Sequence, residues 1–359
     1  MHLCIHHPCI QHPCTHHPED REKGWSGAGL PGRVSNMADK IYISTRIFPV
    51  SEEQKAYLDE CSKGPREVEL IWRAPEEMTE EDYASASALM NFFPPQGVSK
   101  AANLEWMQLA SAGADAFCKE GILPESCVLT NSSGAFSLSV GEHMLAMTLT
   151  MIRNFPQYKA NQATHTWQDE GRIISIEGST VAVLGMGDIG SFYARKMNAL
   201  GARVIGVRRH ECPKPEYLEE QVTLDRLDEI LPKADIVAMV LPGGEETRHL
   251  INDRTLALMK ENSYILNVGR GSSIDQAALC RALDSGHIRG AALDVTDPEP
   301  LPKDDPLWDY KNVLITPHVA GWWHLRETFN RVVRIFGTNL KHFVHGEKME
   351  NVVNRNLGY

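Results

Sequence analysis

The stretch "TVAVLGMGDIGSFYARKMNALG", residues 180–201, decides the fold. An apolar strand pattern comes first, glycines with the spacing G-x-G-x-x-G follow, and a helical pattern comes next. In this context the first glycine permits a tight turn, the second lets the backbone approach a pyrophosphate, and the third lets helix and strand pack closely. The N-terminus of the helix would offer free N–H groups to the phosphates. The stretch therefore predicts a dinucleotide-binding turn that comprises Gly185, Met186, Gly187, Asp188, Ile189 and Gly190.

The next strand, in "RVIGVRRH" at residues 203–210, ends in two arginines. A turn that binds NAD is typically followed here by an acidic residue, which hydrogen-bonds to the adenosine ribose. A guanidinium would instead pair with the 2′-phosphate of NADP. Arg208 is predicted to make that contact, and Arg209 to stack on adenine or to add a second one. The sequence thus favours NADP(H) over NAD(H), which stays possible. The alternative is that both arginines are solvated in a surface loop.

Short apolar strands alternate with helices on both sides of this turn. Such a pattern is typical of a parallel sheet covered by helices on both faces. We therefore expect an α/β protein with two Rossmann-like domains, of which the substrate-binding domain is discontinuous in sequence. Its first part is predicted at residues 37–132, and the dinucleotide-binding domain at residues 133–321. Residues 322–359 contain a helix that is expected to return to the substrate-binding domain.

Three local patterns carry more detailed predictions. "SASALMNFF", residues 85–93, is interpreted as a helix that leads into a strand. "SVGEHMLAMTLTMIRNF", residues 139–155, is predicted to be one helix ended by Pro156, with apolar positions at Val140, Leu145, Leu149 and Ile152. Asp275 is the expected N-cap of a later helix, and Gly286 its expected C-cap.

Residues 1–36 differ from the rest of the chain. They begin with a pentapeptide repeat, "CIHHP", "CIQHP" and "CTHHP", and continue into a segment rich in glycine, serine and proline. Proline recurs every fifth residue and no core can form, so we predict a disordered appendage, with Met37 as the start of the folded protein. The alternative is an adventitious metal site made of cysteine and histidine. No functional metal is predicted.

Composition narrows the classes of partner and the compartment. The net charge of −11 argues against nucleic acid as a main partner. No apolar run reaches the ~18–20 residues that span a membrane. The cysteines after the N-terminal repeat are scattered without metal-binding spacing, which favours reduced thiols and a cytoplasmic location.

Polar side chains follow three later strands. Arg270 comes at the end of "ILNVGRG", Asp294 and Glu299 lie in "ALDVTDPEP", and His318 ends "LITPH". Ligands of open α/β sheets bind beyond the carboxyl ends of the strands. A cation, carboxylates and an imidazole at neighbouring strand ends could bind a carboxylate substrate and move a proton, while the cofactor supplies hydride.

At these residues the chain resembles the D-isomer-specific 2-hydroxyacid dehydrogenases. The motifs "VLGMGDIG", "NVGRGSSID", "GAALDVTDPEPLP" and "LITPHVAG" occur in the family's order, and the likeness extends over nearly everything from about residue 37. The resemblance implies that Arg270 binds the substrate carboxylate and polarises the keto group. It implies that His318 is the general acid/base, that Glu299 hydrogen-bonds to its imidazole, and that Asp294 holds the nicotinamide carboxamide.

The resemblance also implies a substrate loop in "SAGAD", whose amides at Ala112 and Gly113 would grip the carboxylate. The substrate set is predicted to comprise Ala112, Gly113, Arg270, His318 and Trp322. Beyond the residues already named, the predicted cofactor contacts are Leu241, Pro242, Val268 and Gly269. His143 is interpreted as a packed or interface histidine.

Several alternatives stay open at this stage. Trp322 and Trp323 either line the substrate pocket or pack in an interface, in what we expect to be a homodimer. Glyoxylate or hydroxypyruvate would suit a small pocket, and an aromatic or branched 2-ketoacid a larger one. A cofactor-sensing scaffold of the corepressor type is the alternative to an NADP(H)-dependent 2-ketoacid reductase. Formate dehydrogenase is disfavoured because the resemblance would then lead us to expect an amide at position 299, where glutamate stands.

Overall fold

The computed structural model describes residues 38–46, 50–322, 324–356 and 358. The predicted appendage, residues 1–36, and Trp323 lie outside the described residues, so the interpretations made for them stay predictions.

The described strands are short, and most are made of buried apolar residues. They are β1 Asp39–Ser44, β2 Val68–Arg73, β3 Ala86–Met90, β4 Trp106–Gln108, β5 Val128–Thr130, β6 Thr180–Leu184, β7 Arg203–Arg208, β8 Glu220–Thr223, β9 Ile236–Met239, β10 Ser263–Asn267, β11 Ile288–Leu293 and β12 Val313–Ile315. The helices are α1 Glu52–Cys61, α2 Glu80–Ser85, α3 Pro95–Val98, α4 Ser137–Ile152, α5 Phe155–Ala163, α6 Asp188–Ala199, α7 Leu227–Ile230, α8 Asp253–Leu258, α9 Gln276–Asp284 and α10 Arg326–His345.

These strands form two parallel sheets. The first has five strands in the order β2-β1-β3-β4-β5, and the second has seven in the order β12-β11-β10-β9-β6-β7-β8. In the second sheet the strand order reverses between β6 and β9, which is the position where such folds bind a ligand. The prediction of an α/β protein with two parallel sheets is confirmed.

The chain near the C-terminus packs on the first sheet. Helix α10 lies against α1, and the ring of Phe343 stacks on Trp106 of β4 with 5.2 Å between centroids. In the buried space below, the Asn339 amide donates to Gln108 Oε1 at 2.8 Å. After the helix, Val352 forms an antiparallel bridge with Thr130 of β5. The first sheet is therefore completed by residues far from it in sequence, while the domain boundaries given above stay predictions.

Some local predictions were wrong. Residues 86–90 are strand rather than helix, since the preceding helix α2 ends at Ser85. Pro156 does not end α4. That helix stops at Ile152, Asn154 adopts a left-handed conformation, and Pro156 lies in the first turn of α5, where its missing N–H costs nothing. Leu149 is exposed, because the buried face of α4 contains its methionines and small residues instead.

The predicted ends of α9 lie close to those of the structure. The carboxylate of Asp275 accepts a hydrogen bond from the N–H of Ala278 at 3.1 Å, as an N-cap does. The C-cap is Ser285 rather than the predicted Gly286. Gly286 has φ +73° and occupies the next position, C′, where glycine is common. Among the described residues no helix is both long and apolar enough to cross a membrane.

Candidate active site

The glycine-rich turn joins β6 to α6 at the point where the strand order of the second sheet reverses. Gly185 has φ +101°, and a Cβ there would come within 2.6 Å of the carbonyl oxygen of Val240. A side chain on Gly190 would collide with the carbonyl oxygen of Gly185. A Cβ on Gly187, by contrast, would meet no atom within 4 Å. The turn is thus closely packed toward the sheet and open at the N-terminus of α6, where Met186, Asp188 and Ile189 flank the glycines.

Arg208 lies beside this turn at the end of β7. Its Nη2 donates to the carbonyl oxygen of Met186 at 2.7 Å, and its Nη1 contacts Cys212 Sγ. Arg209 turns another way and pairs with Glu246 at 3.1 Å. The two arginines therefore differ: Arg208 is held against the turn, whereas Arg209 reaches toward the segment after β9.

The remaining predicted cofactor residues lie at the ends of β9 and β10. A Cβ on Gly269 would approach the carbonyl oxygen of Leu241 to 2.5 Å, so these two strand ends are in close contact. Pro242 and Val268 flank this contact and are partly buried. The structure brings these residues together with the glycine-rich turn on the same edge of the second sheet.

The predicted substrate loop meets Arg270 across the gap between the two sheets. The carbonyl of Ala112 accepts from the Asn131 amide at 2.7 Å, and the carbonyl of Gly113 accepts from the Ser111 hydroxyl at 2.7 Å. In the described part of the chain the N–H groups of Ala112 and Gly113 donate to no protein acceptor. A side chain on Gly113 would collide with Nη2 of Arg270. A guanidinium thus lies beside a loop with two unpaired amide donors, a combination of groups that can bind a carboxylate.

His318 and Glu299 form the pair that the resemblance implies. The imidazole Nδ1 lies 2.8 Å from Glu299 Oε2, while Glu299 Oε1 accepts from the N–H of Thr296 at 3.2 Å. Nε2 of His318 has no hydrogen-bond partner in the part of the chain that the structure describes. Since the carboxylate engages Nδ1, the other ring nitrogen is left to exchange a proton with a ligand.

The carboxylate of Asp294 is buried under the turn that carries His318. Its side chain is 2% exposed. Oδ1 accepts from the Thr316 hydroxyl at 2.5 Å and from the N–H of Val319 at 3.0 Å, and Oδ2 accepts from the N–H of Ala320 at 3.1 Å. The carboxylate therefore anchors the turn that carries His318, a contact that the sequence did not indicate. Its proposed contact with a carboxamide stays a prediction.

His143 supports the same turn from α4. Its Nε2 lies 3.1 Å from Thr316 Oγ1. Because Thr316 donates its own proton to Asp294, it accepts from His143, which assigns the proton to Nε2. The interpretation of His143 as a packed histidine agrees with this contact.

Asp115, which the sequence did not single out, lies in the same cleft. Its Oδ2 accepts from Nη2 of Arg270 at 2.7 Å and from Nε at 3.2 Å. The cleft is also lined by Cys118, Lys119 and Gly243. Burial and the nearby carboxylate of Asp115 raise the pKa of the Cys118 thiol, so this cysteine is not a thiolate nucleophile near neutral pH.

Trp322 is half-exposed and stacks on His324, with 6.0 Å between ring centroids. The structure does not place it among the residues that line the cleft beside Arg270. Within the described ranges no group of three or more His, Cys, Asp or Glu side chains could hold a metal ion.

Known proteins are similar to this chain in sequence and in fold. The D-isomer specific 2-hydroxyacid dehydrogenase NAD binding domain, as a sequence family, matches residues 145–320. A glyoxylate reductase from Aeropyrum pernix is 32% identical over 275 residues, which cover 72% of this chain and 79% of the relative. A D-isomer specific 2-hydroxyacid dehydrogenase from Xanthobacter autotrophicus Py2, solved in complex with NADPH and MES, has a TM-score of 0.76 and 29% identity and covers 90% of this chain and 100% of that chain.

A further similar structure is the NADPH-dependent glyoxylate/hydroxypyruvate reductase of Sinorhizobium meliloti in complex with NADP and sulfate. It has a TM-score of 0.75 and 26% identity, and covers 89% of this chain and 100% of that chain. Two parallel sheets, a glycine-rich turn and the match to these relatives define an NAD(P)-dependent oxidoreductase that interconverts 2-hydroxyacids and 2-ketoacids. The chain belongs to the D-isomer-specific 2-hydroxyacid dehydrogenase family. The predicted family, enzyme class and nicotinamide cofactor are confirmed.

Proposed function

We propose that this protein is an NADPH-dependent reductase of small 2-ketoacids. The observation that carries the proposal is a set of strand ends on one edge of the second sheet: Arg270 follows β10 and lies over Gly113, while Glu299 and His318, which follow β11 and β12, form a pair. The guanidinium can bind a carboxylate, and the imidazole can donate or accept a proton. A 2-ketoacid needs both, because its carboxylate must be held while its keto oxygen gains a proton.

The roles follow from the contacts. Arg270, with the free amides of Ala112 and Gly113, would bind the carboxylate and set the keto group beside His318. The bound nicotinamide would supply hydride to the keto carbon. The developing alkoxide then needs a proton, which Nε2 of His318 would donate. Glu299 would hold Nδ1 and stabilise the charged imidazolium before transfer, and Asp294 would hold the turn on which the histidine lies.

The proposed preference for NADPH rests on Arg208. It ends the strand after the glycine-rich turn and is already held beside that turn. A carboxylate is absent from both positions at this strand end, where arginines stand. The two similar solved structures contain NADPH or NADP, which supports the same choice.

A small substrate is the better supported of the two alternatives. The relatives include glyoxylate reductases and glyoxylate/hydroxypyruvate reductases. We therefore infer that glyoxylate or hydroxypyruvate is reduced in preference to aromatic or branched 2-ketoacids. We also propose a cytoplasmic location, because the scattered cysteines favour reduced thiols.

Turnover with a panel of 2-ketoacids tests the function. Oxidation of NADPH or NADH is followed at 340 nm with glyoxylate, hydroxypyruvate, phenylpyruvate and 2-ketoisovalerate. We expect the two small acids with NADPH to give the highest kcat/KM. Tight binding of cofactor without turnover of any acid would instead favour the corepressor-like scaffold.

We also propose a homodimer that uses the surface near α4 and the segment after it. Trp167 is fully exposed, and Leu149, Phe155 and Leu200 are exposed apolar side chains. Leu149, Leu200 and Ile174 line one groove on this side. A contiguous group of exposed apolar side chains, such as those that line this groove, is typical of a protein interface.

Trp167→Glu should therefore weaken the dimer. A buried carboxylate in an apolar interface is costly, because it loses its hydration without gaining a partner. Light scattering coupled to size exclusion should give about twice the chain mass for the wild type and shift the variant toward the monomer. Trp308→Glu is the control, since Trp308 is an exposed tryptophan in the turn beside β12 and does not belong to the segment after α4. An unchanged dimer in Trp167→Glu would exclude this side chain from the interface.

A further inference from the structure

Arg270 is held by an acid from the other sheet. Asp115 begins a short turn after β4 of the five-stranded sheet, whereas Arg270 follows β10 of the seven-stranded sheet. Their side chains nevertheless meet, with Nη2 and Nε of the arginine 2.7 and 3.2 Å from Oδ2 of the aspartate. Gly243, in the loop that follows β9, packs against both, since a Cβ there would lie 3.3 Å from Asp115 and 3.4 Å from Arg270.

The hydrogen bonds of Arg270 leave a defined pair of donors. A guanidinium has five N–H groups. Nε and Nη2 each give one to Asp115, and Nη1 gives one to the carbonyl oxygen of Gly269 at 2.9 Å. One N–H therefore stays on each terminal nitrogen, which is what a bidentate contact with a carboxylate takes.

We propose that Asp115 is a positioning residue that fixes the orientation of Arg270 for the substrate carboxylate. This inference rests on the proposed role of Arg270. Arginine has four flexible side-chain torsions, and a guanidinium free to rotate would have to be ordered each time a substrate binds. Asp115 orders it beforehand, and it does so only while the two sheets lie in the arrangement seen here.

The charge of Asp115 would act in the opposite direction. A carboxylate beside Arg270 partly neutralises it and repels the substrate carboxylate. Both side chains are partly exposed, at 32% for Arg270 and 43% for Asp115, so solvent screens this repulsion. Solvent does not weaken the effect of Asp115 on the orientation of the guanidinium in the same way. We therefore expect the orienting effect to dominate.

The test compares Asp115→Ala with Asp115→Asn in the full chain. Alanine removes the acceptor, and KM for glyoxylate should rise about three- to tenfold, which matches the cost of ordering one long side chain. Asparagine keeps an acceptor oxygen and should raise KM less. kcat and KM for NADPH should change by less than about twofold, because the lost interaction acts on substrate binding in ground and transition state alike.

A second readout does not depend on turnover. The Kd of oxamate, an unreactive analogue of a 2-ketoacid, is measured by calorimetry with the NADPH-bound protein. It should rise in Asp115→Ala by the same factor as KM. In an Arg270→Lys background the alanine substitution should add nothing, since Asp115 acts through the guanidinium. Asp253→Ala is the matched control: it removes the aspartate from another arginine pair, that with Arg281, which lies outside the cleft.

The outcomes separate this inference from the proposed function. A lower KM and Kd in both Asp115 variants would show that the aspartate competes with substrate, and would overturn the inference. Unchanged KM and Kd in Asp115→Ala, with normal turnover by the wild type, would overturn it too. If no ketoacid is turned over but oxamate affinity falls in Asp115→Ala alone, the positioning role stands and the proposed function fails.

Discussion

Replacing His318 by alanine should lower kcat for reduction of a 2-ketoacid by about 10²–10⁴-fold, the usual contribution of a positioned general acid. Nε2 of His318 is the nitrogen left without a protein partner, and Glu299 holds the other one at 2.8 Å. Without the imidazole, the alkoxide would have to take its proton from water. KM for NADPH should stay nearly constant, because His318 lies after β12 and the glycine-rich turn after β6.

The pH dependence of the wild type gives the direction of proton transfer. Reduction consumes the proton of the imidazolium, so kcat/KM for the ketoacid should fall toward alkaline pH. Oxidation of the 2-hydroxyacid needs the neutral imidazole and should show the opposite limb. In His318→Ala this limb should vanish in both directions. An alanine variant that retains the wild-type profile would show that another group moves the proton.

The pH profile of Glu299→Gln tests whether Glu299 acts on His318. A neutral amide can still contact Nδ1 but stabilises the imidazolium less than a carboxylate does. The alkaline loss of reductase activity should therefore begin at lower pH than in the wild type. A limb that stays in place or moves to higher pH would mean that Glu299 is not coupled to His318. A solvent isotope effect on kcat would verify that proton transfer still limits the rate.

The sequence was sufficient for the elements that depend on local pattern. Apolar runs such as that of β6, followed by glycine and a helical pattern, indicate buried parallel strands with little ambiguity. Parallel strands end on one edge of the sheet, so the residues after β6, β10, β11 and β12 could be expected to meet there. Local context alone was ambiguous for residues 86–90, where small residues suit helix and strand alike. It also failed at Pro156, which suits the start of a helix as well as the end of one.

The contacts that orient the site were not visible in the sequence. Asp115 and Arg270 are 155 residues apart and belong to different sheets, so no spacing rule connects them. Asp294 was recognised as a site residue. The three hydrogen bonds that its carboxylate accepts from the 316–320 turn depend on the three-dimensional structure and could not be predicted. Likewise, nothing in the pair Arg208–Arg209 indicated that only the first would lie against the glycine-rich turn, while Glu246 pairs with the second.

Arg208→Asp should weaken the binding of NADPH by about 1.5–3 kcal/mol, the scale of a charge-assisted contact, which corresponds to roughly a 10- to 150-fold rise in Kd. The substitution replaces the cation by an anion that repels the 2′-phosphate. The same carboxylate can accept hydrogen bonds from the ribose hydroxyls of NADH. NADH use should therefore suffer much less, and the ratio of the two kcat/KM values is the quantity to measure.

The contact between Arg208 and the carbonyl oxygen of Met186 requires a separate control, because its loss could loosen the glycine-rich turn itself. A loosened turn would weaken the shared pyrophosphate contacts and lower kcat/KM for NADPH and NADH alike. Arg208→Gln removes the charge and leaves a shorter amide at this position, so it should lose NADPH affinity more than NADH affinity if the charge acts on the 2′-phosphate. Arg209→Gln should have a smaller effect than Arg208→Gln, since Arg209 is paired with Glu246. Equal losses for both cofactors in Arg208→Gln would show that Arg208 does not contact the 2′-phosphate and serves only to shape the turn.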